Sequence, residues 1–363
     1  PGDEYFIGVR TKNGEGLFSS PGLSNGIVYR PETKIPDKLY AGHSAGSNEV
    51  SVLSPSDLHT IKQIQIPGTN SVNFMVLTPD GRYLYVSVTG DSSGLHIIDT
   101  VTDELISSVT DPILGQYNSY LVFSPDGRFA YMGGEVSGLL IDTQLALSEP
   151  ANAILNKNYF NFSNTPQKAV ISPDGKLLYV LPIYSDSLAV INTQSIPFMA
   201  SGSMPIDPVI TRIAVPSGSQ SISISPDGRQ VYLTGESFST VDTLNRKVTA
   251  SFPLTGTEQA LSRFGHTLVA IGPRDITGYN RKLSVIDTNS SAIISQISVI
   301  PDNMYNSLNK LLISPDESVA YALESGSNNL DIIDLSGKTL LTQVSLPAAT
   351  NILLKTRTGP SDT

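Results

Sequence analysis

Short apolar runs alternate along the chain with clusters of Gly, Pro, Asp, Asn, Ser and Thr. That pattern belongs to short strands joined by tight turns, not to long helices. One stretch recurs: Leu77-Thr-Pro-Asp-Gly-Arg-Tyr-Leu-Tyr-Val86 returns as Phe123 to Met132, Ile171 to Val180, Ile224 to Leu233 and Ile313 to Ala322. Its prolines fall at 79, 125, 173, 226 and 315, so the last gap is about twice the period and one copy is degenerate. That copy is Arg263-Phe-Gly-His-Thr-Leu-Val-Ala-Ile271, which keeps the turn glycine and the strand but lacks Pro-Asp. A second motif runs in phase, as Leu95-His-Ile-Ile-Asp-Thr100, Leu139-Leu-Ile-Asp-Thr143, Leu188-Ala-Val-Ile-Asn-Thr193, Ser239-Thr-Val-Asp-Thr243, Leu283-Ser-Val-Ile-Asp-Thr288 and Leu330-Asp-Ile-Ile-Asp-Leu335. A further β-rich stretch follows each.

Each unit therefore carries four strands, A to D. Pro presets φ, Asp bonds its own backbone and Gly takes the left-handed position, so Pro-Asp-Gly turns A into B. A four-stranded sheet of about 46 residues repeated around an axis is a propeller blade. Seven B strands, near Lys38, Tyr83, Phe129, Leu177, Val231, Leu268 and Val319, predict an all-β, seven-bladed β-propeller over residues 38–359. Residues 1–37 read as an N-terminal arm and 360–363 as a tail. Two segments compete for strand A of the first blade. Thr350 to Gly359 would close the ring with a C-terminal strand and is favoured; Gly26 to Pro31 also fits.

Composition narrows the function classes. Charged residues make up 15% of the chain and the net charge is −10, which argues against nucleic acid and anionic membrane surfaces as partners. No apolar run is long enough for a membrane-spanning helix. The absence of Cys removes disulfides, thiolate metal sites and Cys nucleophiles.

The Ser-Pro-Asp-Gly-(Arg/Lys)-x-x-Tyr-Val core and the Val-Ile-Asp-Thr strand resemble the YVTN-repeat propellers, a surface-layer-type or lactonase-like family. The four-letter signature itself is loose here, as in Tyr85-Val-Ser-Val88 and Tyr179-Val-Leu-Pro182. The resemblance implies a periplasmic, cell-surface or secreted protein. A chain beginning Pro1-Gly2 without Met fits a processed or excised product. The family includes binding proteins, lactonases and subunits of cofactor enzymes, so it leaves function open.

In a propeller, strand A lines the channel and the D-to-A connections surround one mouth. Those connections are polar and rich in Asn, Gln and Tyr, which suits a sugar or other polar ligand. The ligand-binding candidates are Asn70, Asn118, Tyr120, Lys168, Gln220, Glu258, Arg263, Tyr305, Asn306 and Lys310. A hydrated mouth common to propellers is the plainer reading. Glu258 is the one carboxylate among the D-to-A connections, and a lone carboxylate is thin support for acid–base work. With His266 it is the catalytic candidate; the lactonase resemblance would add Arg263 and Lys168. His43, His59, His96 and His266 lack metal-ligand spacing, so no metal or other cofactor is expected. Gly90-Asp-Ser-Ser-Gly94 reads as a loop rather than a hydrolase elbow. Two long stretches read as B-to-C inserts, Gly272 to Lys282 and Leu145 to Thr165, are candidate partner surfaces. The second carries Asn156 to Phe162, with three aromatics. Asn161 and Asn289 sit in Asn-x-Ser sequons. The reading these features favour is a non-enzymatic propeller binding a glycan or a protein through its loops. The alternatives are a lactonase-like enzyme and a subunit supporting a cofactor enzyme.

Overall fold

The computed structural model describes residues 4–5, 8–9, 22–23, 27–28, 38–43, 48–55, 57–67, 72–88, 94–115, 119–134, 137–157, 165–183, 185–196, 208–272, 281–299, 307–314, 316–325, 329–346 and 349–355. The chain divides into two units, Pro1–Pro36 and Asp37–Thr363. In the first, Glu4–Tyr5 pairs with Ile27–Val28, and Gly8–Val9 with Gly22–Leu23.

The second unit is a seven-bladed β-propeller of four-stranded antiparallel sheets. Blade one takes its A strand, Ala349–Lys355, from the C-terminal end of the chain. It pairs with Lys38–His43, followed by Glu49–Leu53 and Thr60–Gln65. The competing segment is used elsewhere, because Ile27–Val28 pairs with Glu4–Tyr5. The A strands of the other blades are Val72–Leu77, Tyr120–Phe123, Pro166–Ile171, Ser221–Ile224, Glu258–Leu261 and Ser307–Ile313, and consecutive A strands touch all the way round. A strand from one end of the chain thus completes a sheet begun at the other, so that blade one is four-stranded like the rest and Lys38–His43 is not left as an edge.

The repeated residues hold the turns and join the blades. The turn Ser or Thr hydroxyl bonds the Asp two residues on, and that carboxylate accepts the backbone N–H two residues further, as in Ser172, Asp174 and Lys176. Gly127, Gly175, Gly228 and Gly265 have φ between +68° and +77°. The Thr ending strand C then donates its hydroxyl to that glycine's carbonyl; Thr193 to Gly175 is 2.6 Å. Neighbouring blades interlock through the same residues. The motif tyrosines 131, 179 and 232 are buried and hydrogen-bond Thr193, Thr243 and Thr288 of the following blade. Blades one and two use an ionic version: buried Lys38 pairs with Asp103 at 2.6 Å, and the Tyr40 hydroxyl donates to the same carboxylate at 2.8 Å. Seven apolar clusters lie between the sheets, one at each blade junction including the closing one.

Two features were not in the hydropathy pattern. Each D strand carries one bulged residue; in blades one, two, four, six and seven these are Ile61, Ile106, Ile210, Ile294 and Leu341. Bulges twist an outer edge and blunt its capacity to pair. The stretch from Leu145 to Thr165 is also not a B-to-C insert. It follows strand C: Asp142 caps a helix, Thr143–Ser148, by accepting from Gln144 and Leu145 N–H. A 3-10 turn, Pro150–Asn152, and a short D strand, Ile154–Asn156, come next. The helix packs on the D strand of blade two, where Ser107 donates to the Ala146 carbonyl at 2.6 Å.

Candidate functional site

The channel site follows from register. In every blade one A-strand residue pairs with the residue two beyond the motif tyrosine position of strand B. The pairs are Phe74 with Ser87, Tyr120 with Gly133, Lys168 with Leu181, Ser221 with Thr234, Glu258 with Ile271 and Lys310 with Leu323. In blade one the pair is Asn351 with Gly42. Equal register in equivalent blades places these residues in one layer around the channel. In blades one, two, four and seven a bulge immediately precedes the layer residue.

Blades four to seven bring charge together in this layer. Lys168 forms an ion pair with Glu258, two blades away, and donates to the Ser221 hydroxyl of the intervening blade at 3.1 Å. The Glu258 side chain is 12% exposed and that of Lys168 30%. Lys310 completes the group. Burial pushes its ammonium below the ordinary lysine value and the Lys168 charge adds to that, while Glu258 opposes both. Lys310 has no hydrogen-bond or ion-pair partner among the described residues. The cluster thus holds two cations and one anion, the reverse of the whole chain's balance.

Next to Glu258, Gln259 donates to the Ser223 hydroxyl at 2.7 Å and the Tyr232 carbonyl at 3.0 Å, joining blades five and six. Its Oε1 is buried without a partner, as are Thr234 Oγ1 and Ser87 Oγ. All three adjoin the layer. Buried polar atoms are normally satisfied by protein, water or ligand, so this is a place with spare hydrogen-bonding capacity.

The structure separates the remaining candidates. Arg263 and His266 lie past the far end of strand Glu258–Leu261, in the A-to-B turn, so they do not share the layer with Glu258. His266 contacts Asn289 there at 3.3 Å. Tyr120 occupies the layer position, but its ring is 6% exposed and lies over Gly133, where a Cβ would come within 2.1 Å of it. The Gln220 N–H donates to the Thr234 carbonyl at the mouth. Asn70, Asn118, Tyr305 and Asn306 lie outside the described residues, as do 158–162, 273–280 and the sequon at Asn161.

The other histidines serve the sheets. His43 bonds Ser51 at 2.8 Å, and His96 bonds Ser108 at 2.8 Å while burial lowers its pKa. His59 is an exposed partner of Asp57. No group of three or more His, Asp or Glu among the described residues could hold a metal ion. No described helix is long and apolar enough to cross a membrane. A cavity of about 490 Å³ opens between the turns of blades two and three. It is lined by Pro79, Tyr85, Pro125, Gly127 and Thr143, repeated residues already engaged in holding those turns.

Ser221 and Gln259 were not among the sequence candidates. A signal for the layer exists: Phe74, Tyr120, Lys168, Ser221, Glu258 and Lys310 each stand four residues before the Ser or Thr of the turn motif.

The architecture defines a seven-bladed propeller with a polar, charged channel layer. No protein-family model matches the chain. Solved structures do. The periplasmic gluconolactonase PpgL of Pseudomonas aeruginosa is 16% identical, with a TM-score of 0.67 over 88% of this chain and 98% of that one. A functionally unknown protein from Desulfotomaculum acetoxidans is 14% identical, with a TM-score of 0.67 over the same shares. Hydrazine synthase of Kuenenia stuttgartiensis is 16% identical, with a TM-score of 0.61 over 77% of this chain and 88% of that chain. At these identities the likeness carries the fold alone.

Proposed function

We propose that the chain is a ligand-binding propeller of the cell envelope or exterior, whose channel layer takes a small, hydroxyl-bearing anion. The observation that carries this is Lys310, a half-buried cation with no hydrogen-bond or ion-pair partner among the described residues, beside the Lys168–Glu258 pair. A charge drawn out of water is unfavourable unless compensated, and an anionic ligand would add to the compensation that Glu258 gives. Spare acceptors at Thr234 and Gln259 suit ligand hydroxyls. The envelope placement is supported by the low charge content and by the YVTN-type motifs. The test is a thermal-shift titration with gluconate, and with glucose as the uncharged control. Gluconate should raise the melting temperature saturably. Lys310→Met should abolish the rise, and glucose should do little. No rise with gluconate, citrate or phosphate removes the reading.

A second reading is favoured by the likeness to PpgL. In a lactonase, Glu258 would activate water, with the ion pair to Lys168 orienting its carboxylate, and Lys310 would face the charge developing on the carbonyl oxygen. Hydrolysis of glucono-δ-lactone above the spontaneous rate, lost in Glu258→Gln, would select this reading over simple binding.

A further inference from the structure

On the face carrying the Pro-Asp-Gly turns, blade six departs from the repeat in a directed way. Arg263 stands where the other turns have proline, and Phe264 where they have aspartate. The turn itself is unchanged: Gly265 keeps a φ of +77° and its N–H donates to the Ser262 carbonyl at 2.9 Å. Side chains have therefore been exchanged on a fixed backbone. Phe264 is 63% exposed, with the Arg263 guanidinium 5.9 Å from its ring centre.

The adjoining turn of blade five raises Leu244, 86% exposed, with Arg246 and Lys247 exposed just beyond it. Two contacts hold the sectors together. Gly265 lies against Pro226, and Thr240 Oγ1 is 3.3 Å from Ser291 Oγ. Arg229 adds a fourth cation. In blades two and three the motif arginine folds back on the strand C aspartate, as Arg82 does on Asp99 at 2.6 Å. In blade five Asp242 instead accepts from the Asn245 backbone and side chain, and Arg229 stays 85% exposed with a 3.8 Å contact to Asp227. Asp287 is likewise turned inward, onto the N–H groups of Asn289 and Ser290. The sector thus presents two large apolar side chains among four cations and one exposed carboxylate, Asp227, on a chain with a net charge of −10.

We propose that this sector of blades five and six docks an acidic peptide segment with apolar anchors, at a site separate from the channel. Charge complementarity selects the partner: an anionic segment is drawn to the only described turn that replaces its outward aspartate with an aromatic ring. Phe264 and Leu244 would be the anchors, because aromatic and large apolar side chains carry most of the binding energy when covered.

The test is fluorescence anisotropy with a labelled peptide of alternating glutamate and leucine, against one of alternating lysine and leucine. The acidic peptide should bind saturably and weaken as salt rises, and the basic peptide should not bind. Phe264→Asp restores the residue found in the other turns, so the fold is kept. It should weaken the acidic peptide about tenfold, as should Arg246→Glu, while the channel response to gluconate stays unchanged. Absence of saturable binding, or undiminished binding of the acidic peptide by both variants, overturns the proposal. Co-sedimentation with phosphatidylserine vesicles without peptide binding overturns it in favour of a membrane.

Discussion

The proline of one blade's turn rests on the glycine of the next, and this contact can be measured. A Cβ placed on Gly228 would lie 2.8 Å from Pro173 Cδ, closer than real contacts allow, and the residue has φ +72°. On Gly127 the same atom would meet Pro79 Cδ at an ordinary 3.6 Å, with a φ of +68°. Both alanine variants incur the left-handed backbone penalty of about 1 kcal/mol. Only Gly228→Ala adds the overpacking of a rigid ring, about 2 kcal/mol. The expected totals are about 3 and about 1 kcal/mol. A ring of this length loses about 1.5 °C per kcal/mol, so the melting temperatures of the two variants should differ by about 3 °C. Calorimetry reads this directly. Adding Pro173→Ala to Gly228→Ala should recover the overpacking part and leave the backbone part. Equal losses in the two single variants, or no recovery in the double variant, would refute the contact.

Asp103→Ala should destabilise by about 3–5 kcal/mol, because it strands the buried Lys38 ammonium at the junction of blades one and two; urea unfolding measures it. Thr193→Val leaves the Gly175 carbonyl and the Tyr131 hydroxyl without their partner. It should lower stability by about 1–3 kcal/mol in the same assay. Lys310→Met should stabilise the protein at neutral pH. The folded pKa of Lys310 lies below 10.5, so the unfolded chain binds more protons between the two values and wild-type stability gains as pH rises through that window. The advantage of the variant should therefore be full below the folded pKa and narrow toward pH 10. An advantage that does not change with pH would mean that Lys310 is not held below its ordinary value.

The blades were legible because their turns announce themselves. Pro-Asp-Gly and Asp-Thr are local chemistry, and the structure uses both as local clasps. The closing strand was less legible, since Gly26–Pro31 also suits an A strand by pattern and pairing is what settles the choice for the favoured C-terminal segment. The helix Thr143–Ser148 was hidden by its own cap: Asp142 ends strand C as its counterparts do, but Gln-Leu-Ala-Leu lets it start a helix instead of a turn. Bulges escape hydropathy because an inserted residue shifts the alternation only locally. In the site, Lys168, Glu258 and Lys310 were visible as rare charges near a mouth. No window of sequence shows that Lys168 reaches across blade five to Glu258. Arg263 looked close to Glu258 because five positions separate them, yet those positions are a strand, and a strand carries its ends to opposite faces.

The departures from the repeat explain one another. Where a proline rests closely on the next glycine, as Pro173 does on Gly228, the glycine cannot take a Cβ while the ring stays. Blade six has Arg263 in place of that proline, and blade seven has Glu317, at φ +58°, in place of the matching glycine. The loss of the ring in one blade removes the reason to exclude a Cβ in the next. The degenerate turn keeps its backbone through Gly265, which still faces Pro226 behind it. The repeat is thus relaxed on one side of blade six and enforced on the other, which lets Phe264 and Arg263 vary without opening the ring. The channel layer follows the same logic. The residue four before each turn is fixed in register but bears no lock between turns, so successive blades from the second to the seventh hold Phe, Tyr, Lys, Ser, Glu and Lys there. Chemistry specific to this protein is therefore expected where the repeat leaves side chains unconstrained, in the channel layer and at the blade six turn.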